Sequence, residues 1–256
     1  MRSRKGIRIK IGWITTECQL QLFLKLSYRN FTLCTLIILR RPEHQWPLLL
    51  AGNRDEMRDR PWASPARHWP DRPEVVAALD RVAGGSWMGV NDHGVAAVVL
   101  NRVGSLGPAP GKRSRGELVL EALDHAAASE AGNALTDLDP RSYRPFNLII
   151  ADAVGCYLIC NRGHSLDVSE VPPGLHMLTA SDLDDEADPR IGAYLPQFRT
   201  AEIPDPGDDD WQQWGELLSA RRYQDNDTPT AAMCFQLDNG FHPLEFTDRP
   251  APVSRL

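Results

Sequence analysis

The run Cys34-Thr-Leu-Ile-Ile-Leu-Arg40 is apolar on both of the faces that a strand would present. A strand wetted on one side alternates apolar with polar residues, whereas one that is apolar throughout needs a layer packed against each side. A second apolar run, Pro47-Leu-Leu-Leu-Ala-Gly-Asn53, comes after a polar turn at 41–45, and the pair predicts a hairpin. The 256 residues are enough to cover it, since one domain takes roughly 100–200 residues. Hydrophobic residues at 42% and charged residues at 24% describe an ordinary globular chain. No run reaches the ~18 apolar residues of a membrane helix, so no stable membrane insertion is expected.

Beyond the hairpin the chain is first strand-rich and then mixed. Residues 58–73 hold Pro61, Pro65, Pro70 and Pro73 with Trp62 and Trp69, which predicts a long ordered loop able to cover a cleft as a lid. Apolar runs at 86–91 and 95–101 flank Asp92-His-Gly94 and predict a hairpin that ends at Asn101. Ser114-Arg-Gly-Glu117 fits a capping box, and Leu118, Val119, Ala122, Leu123 and Ala126 recur on one face. One helix from 114 to about 131 is predicted. Strands are predicted at 146–151 and 156–160, with a third at 174–179 continuing the same sheet, and an amphipathic helix at 208–220 carrying Trp211, Trp214, Leu217 and Leu218. Runs at 231–237 and 241–247 around Asp238-Asn-Gly240 suggest a last hairpin. No linker or repeat divides this stretch, so 34–256 is expected to form a single domain.

Charge sets the front of the chain apart. Residues 1–33 contain seven Lys/Arg against Glu17 alone, leaving 21 basic and 33 acidic residues, a net of −12, in 34–256. A body this acidic is not expected to bind nucleic acid. A secretory signal fits the front poorly, because Glu17, Gln19, Gln21 and Lys25 break its apolar stretch. A transit peptide would be basic and acid-poor, as this is, but richer in serine. A third origin is translation starting at position 33 from a TTG or CTG codon written as Leu. On either of the last two, 1–33 is a non-native or cleaved extension. Cys34 would then come after an initiator Met that is normally trimmed, and would become the first residue. Its thiol, of ordinary pKa ~8.5, would share a carbon skeleton with an α-amine of ~7.7–8 able to deprotonate it. The plainer reading of Cys34 is a buried strand cysteine acting as a small apolar side chain. Five cysteines, an odd number widely spread, argue against a disulfide scaffold and for a reducing, cytoplasmic setting.

Several chemistries have no foothold. The seven histidines show no H-E-x-x-H, and Cys156 and Cys160 lack a second pair at zinc spacing, so no metal or other cofactor is expected. G-x-S-x-G, G-x-G-x-x-G and a Walker loop are absent from the sequence. The most unusual stretch is Asn53-Arg-Asp-Glu56 at the end of an apolar strand. A solvated turn with a local ion pair explains it most simply. The hairpin, however, returns this turn toward Cys34, where an Arg would favour a thiolate by one to three pKa units, ~1.4–4 kcal/mol, and an Asp would orient an amine.

Taken in order, Cys34-Thr-Leu-Ile, Asn53-Arg-Asp-Glu56, Arg60-Pro61, Gly85-Ser-Trp-Met-Gly-Val-Asn91 with Gly94, Asn101, Ser114-Arg-Gly116 and Pro145-Phe-Asn-Leu148 resemble the NRDE protein family. That family includes the eukaryotic Transport and Golgi organisation protein 2, and its members begin Met-Cys-Thr, which implies a start at Leu33 here. It is in turn similar to the N-terminal nucleophile hydrolases of the choloylglycine hydrolase and penicillin V acylase type. The resemblance implies an α+β fold, a four-layer αββα sandwich of two mostly antiparallel sheets. It also implies catalytic roles for Cys34 as nucleophile, Arg54 and Asp55 as its auxiliaries and Asn101 as an oxyanion donor, with Asn53, Glu56, Trp62 and Trp87 as substrate contacts. The pattern departs at Leu178-Thr-Ala-Ser181, where Ala180 stands in place of the second oxyanion Asn. Losing such a donor costs ~10²–10³ in rate. The function implied is an amidohydrolase or acyltransferase acting on a small-molecule acyl amide or thioester. The alternative implied by the same family is a non-enzymatic carrier or trafficking protein for haem or another hydrophobic small molecule.

Overall fold

The computed structural model describes residues 34–56, 60–208, 210–221 and 232–233, with the backbone of 10–11 and 18–19. Strands β1 (Lys10–Ile11) and β2 (Cys18–Gln19) precede β3 (Thr35–Arg40), β4 (Leu48–Asn53), β5 (Asp55–Glu56), β6 (Trp62–Ala66), β7 (Val75–Asp80), β8 (Met88–Asn91) and β9 (Ala96–Asn101). Helices α1 (Gly116–Leu123) and α2 (Ala128–Ala134) lead to β10 (Phe146–Ala151), β11 (Cys156–Asn161), β12 (Leu166–Glu170) and β13 (Gly174–Leu178). The chain continues into α3 (Pro189–Thr200) and α4 (Gln212–Leu218). The described chain falls into two compact units, one holding Leu39–Leu49 and Arg60–Gly174, the other Leu50–Asp59, Leu175–Leu256 and the residues up to Ile38 that come after Lys10.

The first unit is built on a seven-stranded sheet in the order β12-β11-β10-β9-β8-β7-β6, every neighbouring pair antiparallel. Each strand therefore pairs with the next one in sequence. Helix α1 lies on β8 and β9, and α2 lies on β10 and β11. Leu118, Val119, Ala122 and Leu123 of α1 close over Ala97, Leu148, Ile150 and Ile159 as one apolar core. Close approach at the start of α1 demands glycine. A Cβ on Gly85 would stand 2.5 Å from the carbonyl carbon of Gly116, and the Ser86 amide donates to the Gly116 carbonyl at 3.0 Å. Two of the motifs read from the sequence thus meet at one backbone contact.

Three predicted elements of this unit are corrected. The single helix at 114–131 is two, because both ends at the break are satisfied by other elements. The Asn91 amide donates to the carbonyls of Leu123 and His125 at 2.9 and 2.7 Å, and Asp152 accepts from the Ala128 amide at 2.8 Å. The capping box does not form. Helix α1 begins after Arg115 with no side-chain cap, and Glu117 pairs with Arg113 at 2.7 Å instead. The proline-rich stretch is not a lid-like loop throughout, since Trp62–Ala66 is the edge strand β6. Its register against β7 shifts between Ala63 and Ala66, so Pro65 sits at an edge and an irregularity, the two places where a missing N–H is tolerated. The segment after β6 is tied down by Arg67 to Asp92 at 2.7 Å, Trp69 to the Gly84 carbonyl at 3.1 Å and Arg72 to Asp124 at 2.8 Å.

A second sheet has the order β1-β4-β3-β13, and β2 pairs with β5 in a separate parallel two-stranded sheet. Every residue of β3 is buried, as the apolar run predicts. Strand β13 joins this sheet rather than continuing from β11, because the exposed, polar β12 already occupies the free side of β11. Helix α3 has no counterpart among the elements expected from the sequence. Asp188 caps it, Pro189 opens it, and Arg190, Ile191, Tyr194, Leu195 and Phe198 form its buried stripe. Helix α4 is shorter than predicted, covering Gln212–Leu218, and packs Trp214 against Phe198 edge-on at 5.7 Å between ring centroids. The hairpin suggested at 231–237 and 241–247 lies outside the described residues, apart from 232 and 233. Two larger, mostly antiparallel sheets, the small parallel pairing of β2 with β5 and few helices make the fold α+β.

Candidate functional site

Cys34 immediately precedes β3, half-buried, with φ of 53°. This left-handed backbone costs an L-residue roughly 1–2 kcal/mol. Its Sγ lies 3.8 Å from the backbone carbonyl oxygen of Asp55, to which the thiol donates. Burial is the largest influence on this thiol, with the charge of Asp55 next, and together they push its pKa up to about 12. The hydrogen bond to Asp55 and the nearby Arg54 charge pull it down, and Glu56 adds a small upward push. Arg54 thus acts in the direction that the sequence suggests, but it is outweighed while Cys34 is an ordinary internal residue. At pH 7 a thiol of pKa about 12 is ionised in on the order of one molecule in 10⁵.

Asp55 is buried beside it. Arg190 Nη1 donates to Asp55 Oδ2 at 3.1 Å and to Thr35 Oγ1 at 3.0 Å, and the side chains of Arg190 and Asp55 are 0% and 1% exposed. Burial raises the Asp55 carboxyl, against the lowering pull of Arg190 and of its contact with Cys34. The second carboxylate oxygen, Asp55 Oδ1, is buried and has no hydrogen-bond partner among the described residues. Arg190 is held at the start of α3 by Asp188. Asp188 Oδ1 accepts from the amides of Arg190 and Ile191 at 2.9 and 3.4 Å, and its Oδ2 accepts from Thr179 Oγ1 and Ser181 Oγ at 2.7 and 2.9 Å. Ala180, between those two hydroxyl residues, is buried.

The remaining sequence-nominated residues divide between the two units. In the unit of Cys34, Arg54 pairs with Glu56 at 2.9 Å. Asn53 donates to the carbonyls of Leu218 and Met233 at 2.6 and 3.2 Å, so its amide hydrogens tie β4 to the end of α4. Asn101, Trp62 and Trp87 belong to the seven-stranded unit. Asn101 ends β9 opposite Phe146, and the rings of Trp62 and Trp87 meet edge-on with centroids 5.8 Å apart. Sequence reasoning missed Arg190, whose only local signal was the helix-opening Asp188-Pro189. Among the described residues, no three His, Cys, Asp or Glu side chains converge as metal ligands, and no helix is long and apolar enough to cross a membrane.

An acid amidase ortholog from Caenorhabditis elegans that hydrolyses N-acylethanolamines superposes with a TM-score of 0.53 at 15% identity, covering 75% of this chain and 88% of its own. Penicillin V acylase from Agrobacterium tumefaciens aligns over 74% of this chain and 57% of its own at 16% identity and a TM-score of 0.35. A variant of conjugated bile acid hydrolase from Clostridium perfringens aligns over 68% of this chain and 55% of its own at 15% identity and 0.35. The first of these shows that the chain shares the fold of that amidase. Comparison of the sequence with curated proteins gives no significant match. The family model for Transport and Golgi organisation 2 matches residues 33–228, most of the chain, and the protein belongs to that family.

Proposed function

We propose that this protein is an N-terminal-cysteine amidohydrolase or acyltransferase acting on a small-molecule acyl amide or thioester, with Cys34 as the first residue of the working chain. The observation that carries the reading is the buried Asp55 Oδ1, without a hydrogen-bond partner among the described residues, on the residue that also contacts the Cys34 thiol. A buried acceptor left unmade costs ~1–3 kcal/mol, and an α-ammonium on Cys34 is the donor whose chemistry suits it. The left-handed φ at Cys34 supports the same start, since a chain that begins there has no preceding carbonyl to clash. So does the family match, which begins at residue 33.

In this mechanism the Cys34 α-amine takes the thiol proton, and the thiolate attacks the substrate carbonyl carbon. As the tetrahedral intermediate collapses, the C–N or C–S bond breaks and the α-ammonium returns the proton to the leaving group. Water, or another acceptor in a transferase, then attacks the thioester and frees Cys34. Asp55 holds the ammonium, and Arg54 lowers the thiol pKa. Asn101 enters from the resemblance alone, as an oxyanion donor. The carrier alternative, with haem as ligand, has no supporting observation in the fold or the comparisons. The acyl amides hydrolysed by the Caenorhabditis elegans neighbour are the first class to screen. A chain beginning at Cys34 is expected to release product that Cys34→Ala does not. Equal release by both proteins removes the nucleophile.

A further inference from the structure

The mechanism gives Glu56 no task, yet the residue stands next to the chemistry. It follows Asp55, whose backbone carbonyl takes the Cys34 thiol at 3.8 Å, and its Oε2 accepts from Arg54 Nη2 at 2.9 Å. Side chains alternate between the two sides of an extended segment. Asp55 turns inward, 1% exposed, and Arg54 and Glu56 flank it as a partly buried pair, 18% and 31% exposed. An ion pair that open to solvent adds little to stability. Nor does Glu56 help the nucleophile, since its charge pushes the thiol pKa up where Arg54 pulls it down. Neither stability nor thiol activation accounts for it.

What the pair does control is the charge that an incoming molecule meets. A guanidinium presents a planar fork of donors that matches a carboxylate, so an unoccupied Arg54 would hold any carboxylate that reached the thiol. Hydrolysis itself makes one: water attacks the Cys34 thioester, the C–S bond breaks, the sulfur regains a proton, and the acyl group leaves as an acid that ionises at pH 7. We infer that Glu56 is a specificity-determining residue: its carboxylate occupies Arg54 and closes the site to anions, so that the substrates are acyl amides or thioesters uncharged beside the scissile bond. The inference rests on the reading of Cys34 as the working N-terminus. The same occupancy keeps the released acid from lodging on Arg54. The charge of the body, 33 acidic against 21 basic residues in 34–256, works in the same direction. Arg54, Asp55 and the Arg190 paired with Asp55 are the other charges at the site, and all three stay unchanged in the experiment.

The test compares alkylation of Cys34 by iodoacetamide, which is neutral, and by iodoacetate, which carries a carboxylate beside the reacting carbon. Both react with the same thiolate, so the ratio of their rates cancels any change in its ionised fraction. Rates are read by mass spectrometry on chains beginning at Cys34: unsubstituted, Glu56→Gln and Glu43→Gln, the last removing the same charge from an exposed turn. Glu56→Gln is expected to raise the iodoacetate-to-iodoacetamide ratio roughly fivefold or more, and Glu43→Gln to leave it where it was. A merely structural Glu56 would lower the melting temperature and change both rates together. An unchanged ratio in Glu56→Gln, or an equal rise in Glu43→Gln, overturns the inference while leaving Cys34 as nucleophile. Should Gln fail to fold, Glu56→Asp draws the carboxylate back from Arg54 by one methylene: a ratio raised about twofold supports the inference, and an unchanged one overturns it. If the unsubstituted Cys34-start chain alkylates no faster at pH 7 than the 1–256 chain, the functional reading falls and takes this one with it.

Discussion

Cys34 carries opposite chemistry depending on what precedes it. With residue 33 attached its nitrogen is an amide, and burial together with the Asp55 charge holds the thiol near about 12. The 1–256 chain is therefore expected to show iodoacetamide alkylation at Cys34 still rising at the alkaline end of a titration, as at the buried Cys156, whose thiol burial likewise pushes up to about 12. A plateau near the ordinary ~8.5 at Cys34 would mean that the site is wetter than described. The candidate residues at 34, 54 and 55 could be nominated from the sequence because they lie along one hairpin, and the structure brings the Cys34 thiol onto the Asp55 carbonyl. Arg190 could not, since it is 135 residues from Asp55 in sequence and only the fold joins them. Asn53, read as a substrate contact, turns its amide to the backbone of 218 and 233, a tie that no local pattern encodes.

Elements were readable where their determinants are local. The fully apolar β3 and the paired runs at β8–β9 and β10–β11 needed no distant partner to be recognised. The break between α1 and α2 depends on Asn91 and Asp152, which lie far from it in sequence, and β6 accepts Pro65 only because it ends the sheet. Helix α3 is hard to read because Pro196, a residue that argues against helix, lies inside it. Its stability should hinge on Asp188, which caps two amides and receives two hydroxyls. Asp188→Ala is expected to cost about 2–4 kcal/mol in urea unfolding, a cap plus two hydrogen bonds. A loss within ~0.5 kcal/mol, typical of a surface substitution, would show that α3 is held by its apolar stripe alone.

For the whole molecule, the acid side of the stability curve is shaped by partly and fully buried carboxylates of opposite kinds. Partial burial pushes Asp80 up, but Arg60 at 2.6 Å and the amides of Val82 and Ala83 win, and its pKa is lowered. Partial burial likewise opposes the lowering of Asp184, which His176 at 2.6 Å achieves. A carboxyl with a folded pKa below its unfolded ~3.9 contributes stability that is complete above that value and is lost as pH falls through the folded one. Asp55, raised by burial, has the opposite sign, so its contribution weakens as pH rises above ~3.9. Asp80→Asn is expected to destabilise the protein at pH 7 and to flatten its acid limb, read as melting temperature against pH. An unchanged limb would assign the acid response elsewhere.

The proposed chemistry turns on one basic nitrogen and one sulfur belonging to the same residue. Its most direct test is intact-protein and peptide mass spectrometry after brief exposure to an activated acyl ester, comparing a chain that begins at Cys34 with the 1–256 chain and with Cys34→Ala. A thioester adduct at residue 34 in the first protein alone, turning over as acyl amide is hydrolysed, is the expected result. Acylation at equal rate in the 1–256 chain, where that nitrogen is an amide, would contradict it.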